Sequence, residues 1–373
     1  MSLIFLIFIT LSPFSPFLFR RVDLWYAAGQ YFQVGILLLL AYSFFENKSI
    51  KDRNIPLALL TLYLGGWTSY IWYQNLVMGK MFYLIFAPFF NFMCFLLFYK
   101  LSFNLNRDNI HRIIRFLSYS LIVYLFYCVF QFFDLDQFFK VFAYDDGTGI
   151  HRTVGLIGNE TQNALYLAIC LPVFYLKRNR ISILSASLVW AVLAISGSAS
   201  GIATALAVTV FFSCFHRLPI TYYLYILLGS VGFVLLKYPE LSTYISFSGR
   251  WDIWTKLWPL IKERSVFGNG LGMMNVLARK PAFEGWRHAH NEYYQLLFTC
   301  GIVGLASVVY CIFDYFQEML RDRLSVTLAS IFLGFCLASL FYFPAHLWMM
   351  ATIGILSYSF GYVLRRRDVI DFS

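Results

Sequence analysis

Apolar runs long enough to cross a bilayer recur from one end of this chain to the other, and they set the narrowest limit on its fold. A helix spans the bilayer core with about 17–25 consecutive apolar residues. Stretches of that kind follow one another from "SLIFLIFITL" to "WMMATIGILSYSFGYVL". Only 13% of the 373 residues are charged, against roughly 25% in a soluble domain, so a water-facing surface is not covered in the usual way. Soluble cores do not repeat runs of this length. The fold class is therefore all-α: a polytopic helical membrane protein of about twelve transmembrane helices, with residues 1–373 as one integral domain. The helices are expected to begin near Ser2, Trp25, Ile55, Met81, Arg112, Gly158, Ile181, Ser200, Pro219, Asn291, Val326 and Leu347. The first of them lacks the basic n-region and small-residue cleavage site of a signal peptide and reads as a retained span.

Basic clusters orient the chain, because cytoplasmic loops carry an excess of Lys and Arg. "KSIKDR", "KRNR" and the final "RRR" fall on one side when both termini are cytoplasmic. Two loops then face outward. One runs over 134–157. The other, a large periplasmic loop over 237–289, holds "SGRWDIWTKLWPLIKERSVFGNGLG", in which Trp251, Trp254, Leu257, Trp258 and Ile261 recur at 3–4 residue spacing. Such an amphipathic helix either lies along the outer leaflet surface or caps the bundle. The alternate glycines of "FGNGLG" follow no strand, so they make no dinucleotide fingerprint; they read as a tight turn with exposed backbone N–H groups.

The seven cysteines all fall in or beside apolar runs, with no C-x-x-C spacing. They read as small core residues rather than as disulfides or zinc ligands. The net charge of +10 does not point to nucleic acid, since no basic domain stands outside the apolar runs. Asp134 and Asp136 form a D-x-D pair that is common by chance at span ends, and Asp145 and Asp146 read as a turn. No metal site and no cofactor is expected.

Chemistry-bearing residues gather at the outer face instead. In "WRHAHNEYYQLLFTCGIVGL", Arg287, His288 and His290 precede a long apolar run. A helix from Asn291 would place His290, Tyr294, Leu297, Gly301 and Gly304 on one stripe, with Asn291 as its cap and the glycines allowing close approach of a neighbouring helix. Arg250 opens the amphipathic segment, and Arg152 precedes "TVGLIGNETQN". Arginine forks match phosphate oxygens bidentately. Several on one bilayer face suit a lipid-linked diphosphate.

With "HRTVGLIGNETQNALYLA", "SGSASG", "GRWDIWTKLWPLIKERSVFGNGLG" and "HAHNEYYQLLFTCGIVGL" in this order, the chain resembles the O-antigen ligase and polymerase superfamily. The resemblance implies inverting, metal-independent transfer of a glycan from undecaprenyl diphosphate to an acceptor, either a lipid A core or a lipid-linked repeat unit. It casts His290 as general base and Arg152 and Arg250 as diphosphate clamps; the residues themselves, rather than the resemblance, add Arg287 as a further clamp and His288, Asn291 and Tyr294 in support. Where family members often carry Ser-Arg-Ser-Gly, this chain has Ala199, and Arg287 or Arg20 and Arg21 stand as substitutes. The alternatives are a polymerase extending lipid-linked repeat units and a polysaccharide transporter. A transporter would show inverted repeats and mid-span charges; none is visible.

Overall fold

The computed structural model describes residues 105–133, 159–177, 179–224, 250–270, 273–278, 280–283, 288–317, 321–342 and 348–371, with the single positions 99, 102, 155, 227, 228, 231 and 319. The spans placed near Ser2, Trp25, Ile55 and Met81 lie outside these residues, as do Asp134, Asp136, Asp145 and Asp146. So do two of the expected site residues, Arg152 and Arg287. Among the described residues the regular structure is helical and no strand occurs. The helices are α1 (Arg107–Phe132), α2 (Glu160–Cys170), α3 (Pro172–Tyr175), α4 (Arg180–Ser196), α5 (Ala199–Phe215), α6 (Arg250–Glu263), α7 (Met273–Leu277), α8 (Glu292–Gln317), α9 (Arg323–Phe341) and α10 (Trp348–Asp371), with a 3-10 turn at Pro281–Phe283. Of these, α1, α8 and α9 are long and apolar enough to cross a membrane, and α4 and α5 are shorter apolar helices. The protein is membrane-embedded.

The starts of α1, α2, α4, α5 and α9 are each set by a short polar side chain that takes up an otherwise orphan N–H. Asn106 accepts from Asn109 N–H, Asn159 from Gln162, Asn179 from Ser182 and Ser198 from Gly201. Asp322 accepts from Leu324 and Ser325. Helix α4 ends at Gly197, in the left-handed region at φ 64°, and Ser198 caps α5 at once, so "SGSASG" is the tight turn the sequence predicts.

Helix α2 is the centre of the bundle. It is buried continuously from Asn163 to Cys170, which fits a helix apolar on every side. Helices α1, α3, α4, α5, α9 and α10 pack with it in one apolar core. Gly201 lies so close to α2 that a Cβ there would stand 2.6 Å from Ala164 Cβ. At one end of the bundle Arg323 donates through Nε and Nη2 to Tyr175 O, at 3.0 and 2.6 Å, closing the end of α3. Arg107 pairs there with Asp322 at 2.5 Å, and Arg365 pairs with Asp314 at 3.2 Å. Cys128, Cys170, Cys300 and Cys336 are buried as expected, whereas Cys214 is exposed and Cys311 only half-buried.

The large loop corrects three expectations. First, α6 has two apolar faces rather than one stripe. Ile253, Leu257 and Ile261 pack with Met274, Leu277, Phe283, Ala289 and Phe298 in a separate small core that Trp254 flanks. Trp251 and Trp258 point away and are 66% and 46% exposed. The packed face fits the reading of a small helix that caps the bundle. Second, the N–H groups of Gly268, Asn269 and Gly270 are not exposed but bonded within the protein. Asn269 and Gly270 donate to Phe298 O and Thr299 O, both at 2.8 Å. Third, Gly301 does not receive a neighbouring helix. It breaks α8, with φ 64° and ψ −167°, and the segment after α6 enters the break: Ile302 and Val303 N–H donate to Ser265 O and Val266 O at 2.8 and 3.3 Å.

The break needs glycine. Its φ/ψ region is essentially closed to other residues, and a Cβ on Gly301 would lie 2.3 Å from Val266 O. Gly301→Ala should destabilise the protein by about 1–3 kcal/mol, read as a fall of several degrees in apparent Tm in detergent.

Candidate functional site

Four segments distant in sequence meet at the bundle end opposite Arg323. They are the start of α2, the start of α6, the junction ahead of α8, and the end of α9. The junction is fixed from both sides. Trp254 Nε1–H donates to Ala289 O at 2.8 Å, and Ala289 N–H donates to Gln295 Oε1 at 3.0 Å. Two residues on, Asn291 Oδ1 accepts from Tyr294 N–H at 2.9 Å, while its Nδ2 donates to Leu340 O at 3.0 Å. Asn291 is thus the helix cap the sequence predicts. Tyr294 ties α8 to α6 by donating its hydroxyl to Trp254 O at 2.8 Å.

His290 sits between these anchors with φ 53°. It is therefore a junction residue outside the helix, not a member of the stripe with Tyr294. A non-glycine residue there carries strain of order 1 kcal/mol, and residues so held cluster at functional sites. The imidazole meets the ring of Tyr342 edge-to-face, with centroids 5.7 Å apart. Tyr342 follows α9, and its hydroxyl accepts from Gln162 Nε2 at 2.8 Å. Glu160 and Arg250 both bear electrostatically on Tyr342, and Arg250 bears on His290.

The sequence-predicted residues thus divide. His290, Asn291, Tyr294 and Arg250 come together, and His288 is half-buried just upstream. Although Arg152 is not described, Gly155, three residues on, is pinned: its N–H donates to Gln131 Oε1 at 2.8 Å. Sequence reasoning missed Tyr342, Gln162 and Glu160. A polar first turn on an otherwise buried α2 is the signal that could have found the last two. Ala199 opens α5 beside the hydroxyls of Ser198 and Ser200, which lie 3.2 Å apart.

Electrostatics set the state of the histidine. Burial lowers the His290 pKa from its ordinary 6.5, and the Arg250 guanidinium lowers it further. Both effects disfavour imidazolium. Burial also lowers Arg250, with Tyr342 opposing. A neutral imidazole beside a guanidinium can accept a proton while an adjacent anion is gripped.

Residues 164–309 match the family model for O-antigen ligase. This bears out the resemblance to the superfamily of O-antigen ligases and polymerases. The matched region takes in Arg250, His290, Asn291 and Tyr294 and leaves out Glu160, Gln162 and Tyr342. A comparison with curated proteins finds no match.

The imidazole should titrate below 6.5 when followed by NMR in histidine-labelled protein. Arg250→Gln removes a repelling positive charge and should move that titration upward, towards 6.5, without reaching it while the ring stays buried.

Proposed function

We propose that this chain moves a glycan from undecaprenyl diphosphate to an acceptor sugar, as an O-antigen ligase, on the periplasmic face of a bacterial inner membrane. The observation that carries this reading is that Arg250 lies within electrostatic reach of His290 at one end of a membrane bundle, both inside the region that matches the family. In the step proposed, an acceptor hydroxyl attacks the anomeric carbon of the donor sugar. Its proton passes to His290. The bond from that carbon to the diphosphate oxygen breaks, and the electron pair leaves with the diphosphate, inverting the centre. Arg250 neutralises the growing charge, and a donor group fixed in advance favours the transition state. Arg152 and Arg287 are assigned the same role from their sequence positions. Product diphosphate then favours imidazolium, which releases its proton to water.

Tyr342 and Gln162 support this arrangement by holding the α2 and α9 ends against the imidazole. Asn291 and Tyr294 act through the backbone they fix, and His288 is assigned a supporting role from its place two residues ahead of His290. The donor and acceptor are lipid-linked or lipid-anchored glycans, so both reach the site from the membrane plane.

His290→Ala should lower glycan transfer by about 10²–10⁴-fold, with the amount of inserted protein unchanged. Full transfer by that variant removes His290 from the mechanism. Arg250→Lys keeps the charge but loses the fork, so a clear loss is expected, and equal activity would make Arg250 a membrane anchor. Surface glycans of a strain lacking the gene separate the two acceptors. Long chains stranded on the lipid carrier indicate a ligase; single repeat units on the core indicate a polymerase.

A further inference from the structure

The segment that enters the break of α8 carries two large apolar side chains outward. Val266 and Phe267 are 49% and 48% exposed, and the residues they adjoin on α8, Ile302 and Val303, are exposed as well. The exposed face continues down α8 through Val309, Tyr310 and Phe313. On a helix that crosses a membrane, such a face meets lipid. Backbone bonds from Ile302 to Ser265 and from Val303 to Val266 put the inserted segment level with the top of that face.

The neighbouring side chains place this level. Lys262, Glu263 and Arg264, which end α6 and lead into the segment, are exposed and charged, whereas the exposed face of α8 that starts at Ile302 is apolar. The change from charged to apolar surface therefore falls between Arg264 and Val266. Irregular backbone at that depth is tolerated only when its polar groups are satisfied within the protein. Gly268 N–H donates to Arg264 O at 2.8 Å, and Asn269, Gly270, Ile302 and Val303 are all bonded. Lys262 lies over the Trp258 ring at 5.6 Å, the pairing of apolar body and basic head that suits a headgroup zone.

We infer that Val266 and Phe267 form a wedge inserted among the acyl chains of the leaflet beside the site, continuous with the lipid-facing side of α8. The occupant of this surface is membrane lipid. The wedge anchors the segment that follows α6, and it does so whatever reaction the site performs.

The test uses the full-length protein in phosphatidylethanolamine–phosphatidylglycerol vesicles. Cys214 and Cys311 are replaced by Ser, and a nitroxide is attached at Phe267→Cys or, in a parallel sample, at Val266→Cys. Collisions with oxygen should exceed collisions with a water-soluble nickel chelate at both positions. A label on Lys256→Cys, exposed on α6, should show the reverse. Preference for the chelate at 266 and 267 would put the segment in water and overturn the inference. Protection from both relaxants would mean that protein covers the surface, which overturns it equally.

Discussion

Every backbone N–H and C=O in an apolar bundle must find a partner inside the chain, and this structure meets that demand where it is hardest to meet. Gly301 releases carbonyls and N–H groups in the middle of a membrane-crossing helix. The segment between Arg264 and Gly270 takes up both sets in order. That exchange joins the large loop to α8 by main chain rather than by side chains. Because α6 leads directly into the segment and His290 leads directly into α8, the same exchange limits how far Arg250 can move from the imidazole.

A second layer of fixing lies above it. Trp254, Gln295 and Asn291 hold the residues on either side of His290, and the hydrogen bonds come from α6, α8 and α9 together. The histidine owes its left-handed backbone to this crowding. Its low basicity has a different origin, since burial dominates and the guanidinium adds to it. Orientation and basicity are thus set by separate parts of the molecule.

Much of the bundle was legible in the sequence because polar caps announce helix starts. Asn159, Ser198 and Asn291 bring α2, α5 and α8 within one or two residues of the expected beginnings. Helices α1 and α9 begin earlier than expected, at Arg107 and Arg323, because their first turns are polar and carry charge, while the apolar pattern starts later. The meeting of Arg250 with His290 was legible too, from the placing of both on one face. The break at Gly301 was not: "TCGIVGL" keeps the composition of an uninterrupted span, and the glycines of "FGNG" read as a tight turn of their own rather than as its partner. Tyr342 is one aromatic among several in "LFYFPAHLW", and its contact with Gln162 depends on an approach by α2 that no local pattern encodes.

The contact of Arg323 with Tyr175 O has a bearing on how the protein is made. The two residues lie 148 positions apart, and Tyr175 is fully buried. While the ribosome is still producing the large loop, the last carbonyl of α3 lacks its guanidinium, and the central helix lacks the neighbour that completes its packing. The early spans therefore enter the bilayer as an unfinished assembly, which synthesis of α9 and α10 completes.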